Sequence, residues 1–287
     1  MSLAFYTPKI RFTYQQMRDM LLLQGKANDV MSEAWRTSCN CDIQYYRAGW
    51  KEAAEAIDHI GYKWWKKTPT NVPQAVLELI DIHHFALSHS LRAGYVALAF
   101  GDEDVPPGVG YEFTEAETED VLHDVAEELS TMDNTITIEP IGKYASNDAY
   151  EKIQFSPSET VNGVHAEVDI TKFPVVDLLE QFCHTTLNNA EPNWALLHAL
   201  YDAFGVTAND VYEIYVSKNL LNIFRTSNGQ RSNDYFKIWS GREDNEFLTD
   251  YCDSQKAAGT GLNVDDLLTY LTTEYEAQKA SGTVAKA

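Results

Sequence analysis

Apolar residues recur at helical spacing along most of this chain and only briefly at strand spacing. The pattern predicts an amphipathic helix over about Tyr14 to Met31, with Met17, Met20, Leu21 and Leu23 as its apolar positions. Two more helical patterns face each other between Trp50 and Phe85, as WKEAAEAIDHIGYKWWKK and AVLELIDIHHF, across the break TPTNVPQ. The period then continues through Ala86, Leu87, Leu91, Tyr95, Leu98 and Phe100, and Gly101 ends it. A loop with Pro106 and Pro107 leads to a short acidic helix over about Glu115 to Leu129. Residues 131–172 are mixed, with TITIEPIG and VHAEVDI as short alternating stretches. Helical patterns resume over Phe173 to Asn188, over Ala195 to Phe204, and from Val211, where Thr207 or Asn209 supplies the cap. The expectation is an all-α helical bundle. Its rigid core comprises residues 1–100 and 205–275, with a variable, mobile acidic insert at 101–204 and a frayed tail at 276–287.

Composition narrows the picture. The chain has 287 residues, 44% of them hydrophobic, enough for one large domain or two small ones. No apolar run approaches the roughly 20 residues that span a bilayer, and MSLAFYTPKIRF lacks the apolar core of a signal peptide. Cys39, Cys41, Cys183 and Cys252 form no zinc spacing, so reduced thiols in a cytoplasmic protein (host cytoplasm if viral) are the expectation. A formal net charge of −21 opposes nucleic acid and anionic membranes as partners. It also repels nucleoside triphosphates, unless cations gather locally and metal ions bridge the rest.

The acids of the paired helices are the first candidate chemistry. Glu52 and Glu55 lie three apart on one helix, and Glu78 and Asp81 three apart on the other, so each helix projects an acidic pair from one face. A lone E-x-x-E is ordinarily a solvated helix face. In LELIDIHHF, however, the surroundings are too apolar for that reading, and converging carboxylates require compensation. A hard divalent cation, magnesium or manganese, supplies it and recruits phosphate.

Two further sets stand out. Gln24 and Asn28 lie four apart in the first helix; such amides are ordinarily surface, but they can also read the edge of a nucleobase. Ile214, Lys218, Asn222 and Arg225 form one stripe, followed by the break at Asn228-Gly229, then Lys237 and Trp239. Asp234 is the only acid between Lys218 and Arg242, so this is a local basic patch suited to phosphate or to a partner protein.

Together these residues resemble the dimeric all-α dUTPases, within the all-α NTP pyrophosphohydrolase superfamily that includes phage dCTPase–dUTPases and MazG-like enzymes. The resemblance rests on Gln24-x-x-x-Asn28, Glu52-x-x-Glu55, Glu78-x-x-Asp81 before His84-Phe85, and the run from KNLLNIFR through Tyr235, Lys237, Trp239 and Glu243-Asp244-Asn245. It implies a homodimer that converts dUTP, and usually dUDP, to dUMP with two or more magnesium ions. Glu52, Glu55, Glu78 and Asp81 would then be the metal ligands and catalytic carboxylates. Gln24, Asn28 and Trp64 would meet the base, and Lys218, Asn222, Arg225, Lys237 and Asn245 the sugar and phosphates. The chain departs from many members at Gly229-Gln230, where they carry Gly-Tyr.

Three alternatives remain open on the sequence. One is a dCTPase–dUTPase or a MazG-like pyrophosphohydrolase of other base specificity. The second is a ferritin-like di-iron protein, because Asp81-x-x-His84 mimics the ligand pair of such bundles. The third is a non-catalytic acidic helical adaptor.

Overall fold

The computed structural model describes residues 4–32, 34–37, 43–63, 65–66, 69–101, 110–132, 134–138, 156–157, 166–167, 174–260 and 262–286. Trp64, Cys39, Cys41, Pro106 and Pro107 lie outside them, as do most of TITIEPIG and VHAEVDI. The chain is all-α, with two minor sheets of two- and three-residue strands, and divides into two compact units, Met1–Val211 and Tyr212–Ala287.

The first unit is built on one long helix. Helix α1 (Tyr14–Met31) starts at a capping box in which Thr13 and Gln16 satisfy each other's backbone amides. Helix α2 (Tyr45–His59) buries its small residues Ala53 and Ala56, which lets it lie close along its neighbour. That neighbour is α3 (Val72–Phe100), which has Pro73 in its first turn and Gly101 in the left-handed region at its end (φ 62°). Helix α3 packs against α1, α2, α4 (Glu115–Thr131) and α6 (Trp194–Phe204), while α5 (Val175–Asn189) packs on α2 and α6. Leu79, Ile80, Ile82, Leu87 and Leu91 of α3 are all fully buried. Each such side chain contributes about 1.5–3 kcal/mol by leaving water.

Helices α4 to α6 come from the stretch expected to be a variable insert and belong to the same compact unit as the acidic helices. They pack on its core because Val121, Leu122, Val125, Leu178, Phe182, Leu197 and Leu200 form apolar stripes of their own. The N-terminal residues are tied to α6 through Asp202, which accepts from Tyr6 Oη at 2.7 Å and from Ile10 N at 3.2 Å. Strand β1 (Ala4–Tyr6) lies between β2 (Ile136–Ile138), antiparallel, and β4 (Ala166–Glu167), parallel; β3 (Ser156–Pro157) pairs antiparallel with β4. The two alternating stretches thus do supply strands, short ones that need a partner more than a hundred residues away.

The second unit takes α7 (Ala208–Ser227) from Tyr212 onward, then α8 (Asp244–Ala258) and α9 (Val264–Ser281). Thr207, not Asn209, caps α7: its hydroxyl accepts from Asp210 N at 3.2 Å while Asp210 accepts from Thr207 N at 3.1 Å. Strands β5 (Ile238–Trp239) and β6 (Arg242–Glu243) form a hairpin over Ser240-Gly241, both at positive φ, the backbone of a tight two-residue turn. The stretch expected to be a frayed tail contains the end of α9 and a short strand. Helix α9 runs to Ser281, and β7 (Val284–Ala285) pairs with β5 while Thr283 O accepts from Ser240 N at 2.8 Å. Trp239, fully buried, packs with Phe224, Phe247 and Tyr275 at the centre of this unit.

The tightest approach between α3 and α4 is at Gly94, where an added Cβ would stand 2.9 Å from Val125 Cγ2 and 3.0 Å from Val121 Cγ1. Gly94→Val should lower stability by about 1–3 kcal/mol through overpacking. Gly25→Ala, in α1 with nothing within 4 Å of the added carbon, should raise it by up to about 1 kcal/mol. Urea unfolding of both variants measures the contrast; equal midpoints would contradict the close α3–α4 contact.

Candidate functional site

Packing of α2 along α3 brings the two acidic pairs together. One carboxylate oxygen from each of Glu52, Glu55 and Glu78 lies within 4.8 Å of the others. Glu78 is buried, Glu52 half-buried, and the Glu55 side chain reaches solvent. Asp81 stands outside that mutual distance, but its charge is the strongest one acting on Glu52. Burial first, then the charges of Asp81 and Glu55, push the Glu52 carboxyl up to about 8, with Lys51 pulling it the other way. Lys51 contacts Glu55, and that hydrogen bond holds the lysine's pKa above its ordinary value. On the other side, His59 Nε2 lies 3.5 Å from Glu78 Oε1.

This donor set fits a hard divalent ion. It is made of carboxylate oxygens alone, from two helices, with burial and then like charge pushing one member toward its neutral form. Among the described residues His84 is not part of this carboxylate group, and its Nδ1 lies 2.9 Å from Gln24 Oε1.

Gln24 and Asn28 of α1, whose spacing is also that of ordinary surface amides, are buried, to 3% and 1% exposure. Gln24 Nε2 donates to Asn28 Oδ1 at 3.0 Å, and Ser88 Oγ reaches the same oxygen at 3.1 Å. Glu78, Asp81, His84 and Ser88 follow one another along α3 at spacings of three, three and four, so carboxylates and amide network share one stripe of that helix. The rise from Asp81 to His84 is only about 4.5 Å. Trp64, the third residue of the base set, lies outside the described residues.

In the second unit, Lys218, Asn222, Arg225 and Asn245 do come together. Lys218 Nζ donates to Asn245 Oδ1 at 3.0 Å, and Arg225 donates to Asn245 Oδ1 at 2.8 Å and to Asn222 Oδ1 at 3.1 Å. At their centre is Asp244, fully buried, which accepts from Arg225 Nε at 2.8 Å and Nη2 at 2.6 Å and from Tyr235 Oη at 2.7 Å. Burial, then the Asp244 charge, raise the Tyr235 phenol far above its ordinary range. Lys237 stays half-exposed and pairs with Glu243 at 2.8 Å; Arg242 pairs with Glu246 and Asp250. The stripe that looked cationic in sequence is therefore largely matched by acids at 243–250.

Sequence reasoning missed several of these partners. Ser88 follows His84 by one helical turn, a signal present in the period, but its role depends on α1 lying across it. In sequence Asp244 stands only in the Glu243-Asp244-Asn245 run; its pairing with Arg225 depends on α8 meeting α7 in space. Lys51 stands four residues before Glu55, a helical-neighbour spacing the sequence carries, whereas His59 meets Glu78 only because α2 packs along α3.

A model of the family described as dUTPase matches residues 16–230 of this chain. No curated protein matches it.

Two predictions concern the charged groups. Between about pH 4.5 and 8 the unfolded chain has lost the Glu52 proton while the folded chain keeps it, so rising pH favours unfolding across that window. In metal-free buffer, stability should therefore fall from pH 5 to pH 8 more steeply than in Glu52→Gln; parallel denaturant midpoints in the two proteins would refute this. Arg225→Ala leaves Asp244 buried without its charge partner and should cost about 3–5 kcal/mol. Lys237→Ala breaks only a half-exposed pair and should cost less than about 1 kcal/mol by the same measurement.

Proposed function

Because the chain belongs to the dUTPase family of the all-α type, a dUTP diphosphatase, we propose that it converts dUTP, and dUDP, to dUMP with magnesium held by Glu52, Glu55, Glu78 and Asp81. The observation that carries this reading is the convergence of three carboxylates within 4.8 Å, with Asp81 acting on Glu52 beside them. Two or more bound ions, magnesium or manganese, would supply charge neutralisation and an activated water for the phosphoanhydride.

The chain's own residues have defined tasks in this scheme. Lys51 and His59 hold the Glu55 and Glu78 carboxylates in place from outside. Gln24 and Asn28 bind the base edge, with Trp64 beside it. Lys218, Asn222, Arg225, Lys237 and Asn245 offer donors of the kind that sugar and phosphate oxygens accept. Arg225 and Lys218 are buried and held by neighbours, which favours a positioning task for them, while Lys237 is half-exposed and its partner Glu243 lies at the surface. We further propose that the protein acts as a homodimer in the cytoplasm. No helix of the described residues is long and apolar enough to cross a membrane.

Pyrophosphate release measured over all deoxynucleoside and ribonucleoside triphosphates, with magnesium and then with chelator, tests the reading. We expect dUTP to lead the panel and chelator to abolish release. Glu52→Gln and Asp81→Asn should each lower turnover by about 10²-fold or more, as expected for lost charge stabilisation at phosphoryl oxygens, while remaining folded. Wild-type turnover in either variant at saturating magnesium would sink the assignment.

A further inference from the structure

The amide network on α1 and α3 has a direction, and that direction says which base it accepts. Asn28 Oδ1 already has two donors near it, Gln24 Nε2 at 3.0 Å and Ser88 Oγ at 3.1 Å. Gln24 Nε2 fills one of that oxygen's lone pairs, and the single Ser88 proton, which also reaches His84 O at 2.9 Å, fills the other when it points to Asn28. Its Nδ2, by contrast, is buried with no hydrogen-bond partner among the described residues, on a side chain 1% exposed. A buried N–H group left unmade is costly, so a ligand acceptor is what this position calls for. Upstream, Gln24 Oε1 lies 2.9 Å from His84 Nδ1, which turns the glutamine so that its nitrogen faces Asn28.

Resting on the nucleotide reading above, we propose that Ser88 is the positioning residue that sets base selectivity. It keeps the Asn28 oxygen occupied, so Asn28 can only donate, and Nδ2 meets the 4-carbonyl of a keto pyrimidine. An amino pyrimidine puts its own donor at that place and is refused.

The opposite direction is also chemically self-consistent, which is why one hydroxyl decides. If both amides turned over, Gln24 Nε2 would donate to an unprotonated His84 Nδ1. Asn28 Nδ2 would then donate to Gln24 Oε1 and Ser88 Oγ, and the Ser88 proton would go to His84 O, 2.9 Å away. Asn28 Oδ1 would then be the group presented, and a 4-amino base would fit. The Ser88 proton lies within reach of both acceptors, and its position on Asn28 Oδ1 belongs to the keto-reading arrangement. An alanine there serves both directions equally.

Calorimetric titration of the full-length protein with dUMP and dCMP, in magnesium, tests this without any catalytic step. The wild type should favour dUMP by about tenfold or more, the cost of one buried mismatch. Ser88→Ala should bring the ratio within about threefold, and Ser88→Thr, which keeps the hydroxyl, should retain it. Should Ser88→Ala not fold, Ser88→Cys, a poor donor of similar size, reads the same ratio. An unchanged ratio in the hydroxyl-free variants, or a wild type that does not favour dUMP, overturns the proposal. Binding of neither nucleotide by the wild type overturns the nucleotide reading itself, and the role of Ser88 with it.

Discussion

Helix α3 must satisfy two demands at once, and the first unit is arranged around that requirement. Its apolar faces form the packed centre against α1, α2, α4 and α6, while Glu78, Asp81, His84 and Ser88 occupy one stripe of the same cylinder. Hydrophobic burial of Leu79, Ile80, Ile82, Leu87 and Leu91 holds the helices together regardless of what that stripe carries. The carboxylates therefore cannot relieve their repulsion by moving apart. Burial first, and then that repulsion, drive the Glu52 carboxyl up to about 8. The core thus keeps the carboxylates together, which is the preorganisation the proposed cation site would use.

The second unit meets its polar constraint differently. Asp244 is fully buried, and three donors from Arg225 and Tyr235 surround it. Burying such a pair adds little net stability, because removing both charges from water costs about what their attraction returns. Its effect is geometric. With Asp244 at the first turn of α8, beyond the β5–β6 hairpin, the pair locks the start of that helix onto α7 and presents Asn245 to Lys218 and Arg225.

The helices were legible because their signals are local. Thr13 and Gln16, the period of Met17, Met20 and Leu21, and the Gly101 stop all act within a few residues of one another. The E-x-x-E and E-x-x-D faces were legible for the same reason, since a three-residue spacing is enough to put two carboxylates on one side. What was not legible depended on another element. Gln24 and Asn28 have the spacing of ordinary surface amides, and only α3 lying over them makes them buried. The strands around 136–138 and 166–167 needed residues 4–6 between them, a pairing that alternation alone does not specify. The tail has the composition of a loose end, and the pairing of its β7 with β5 likewise joins residues far apart in sequence.

By itself, then, the amino-acid sequence determined the helices, their acidic and amide faces, and the chemistry those residue types favour, because each follows from spacing along one helix. Tertiary structure alone decided which charges remain active. It set Glu52 against Asp81, neutralised Arg225 with Asp244, and aimed Asn28 through Ser88. Charge and hydrogen-bond direction are properties of neighbours in space, and neighbours in space come from packing.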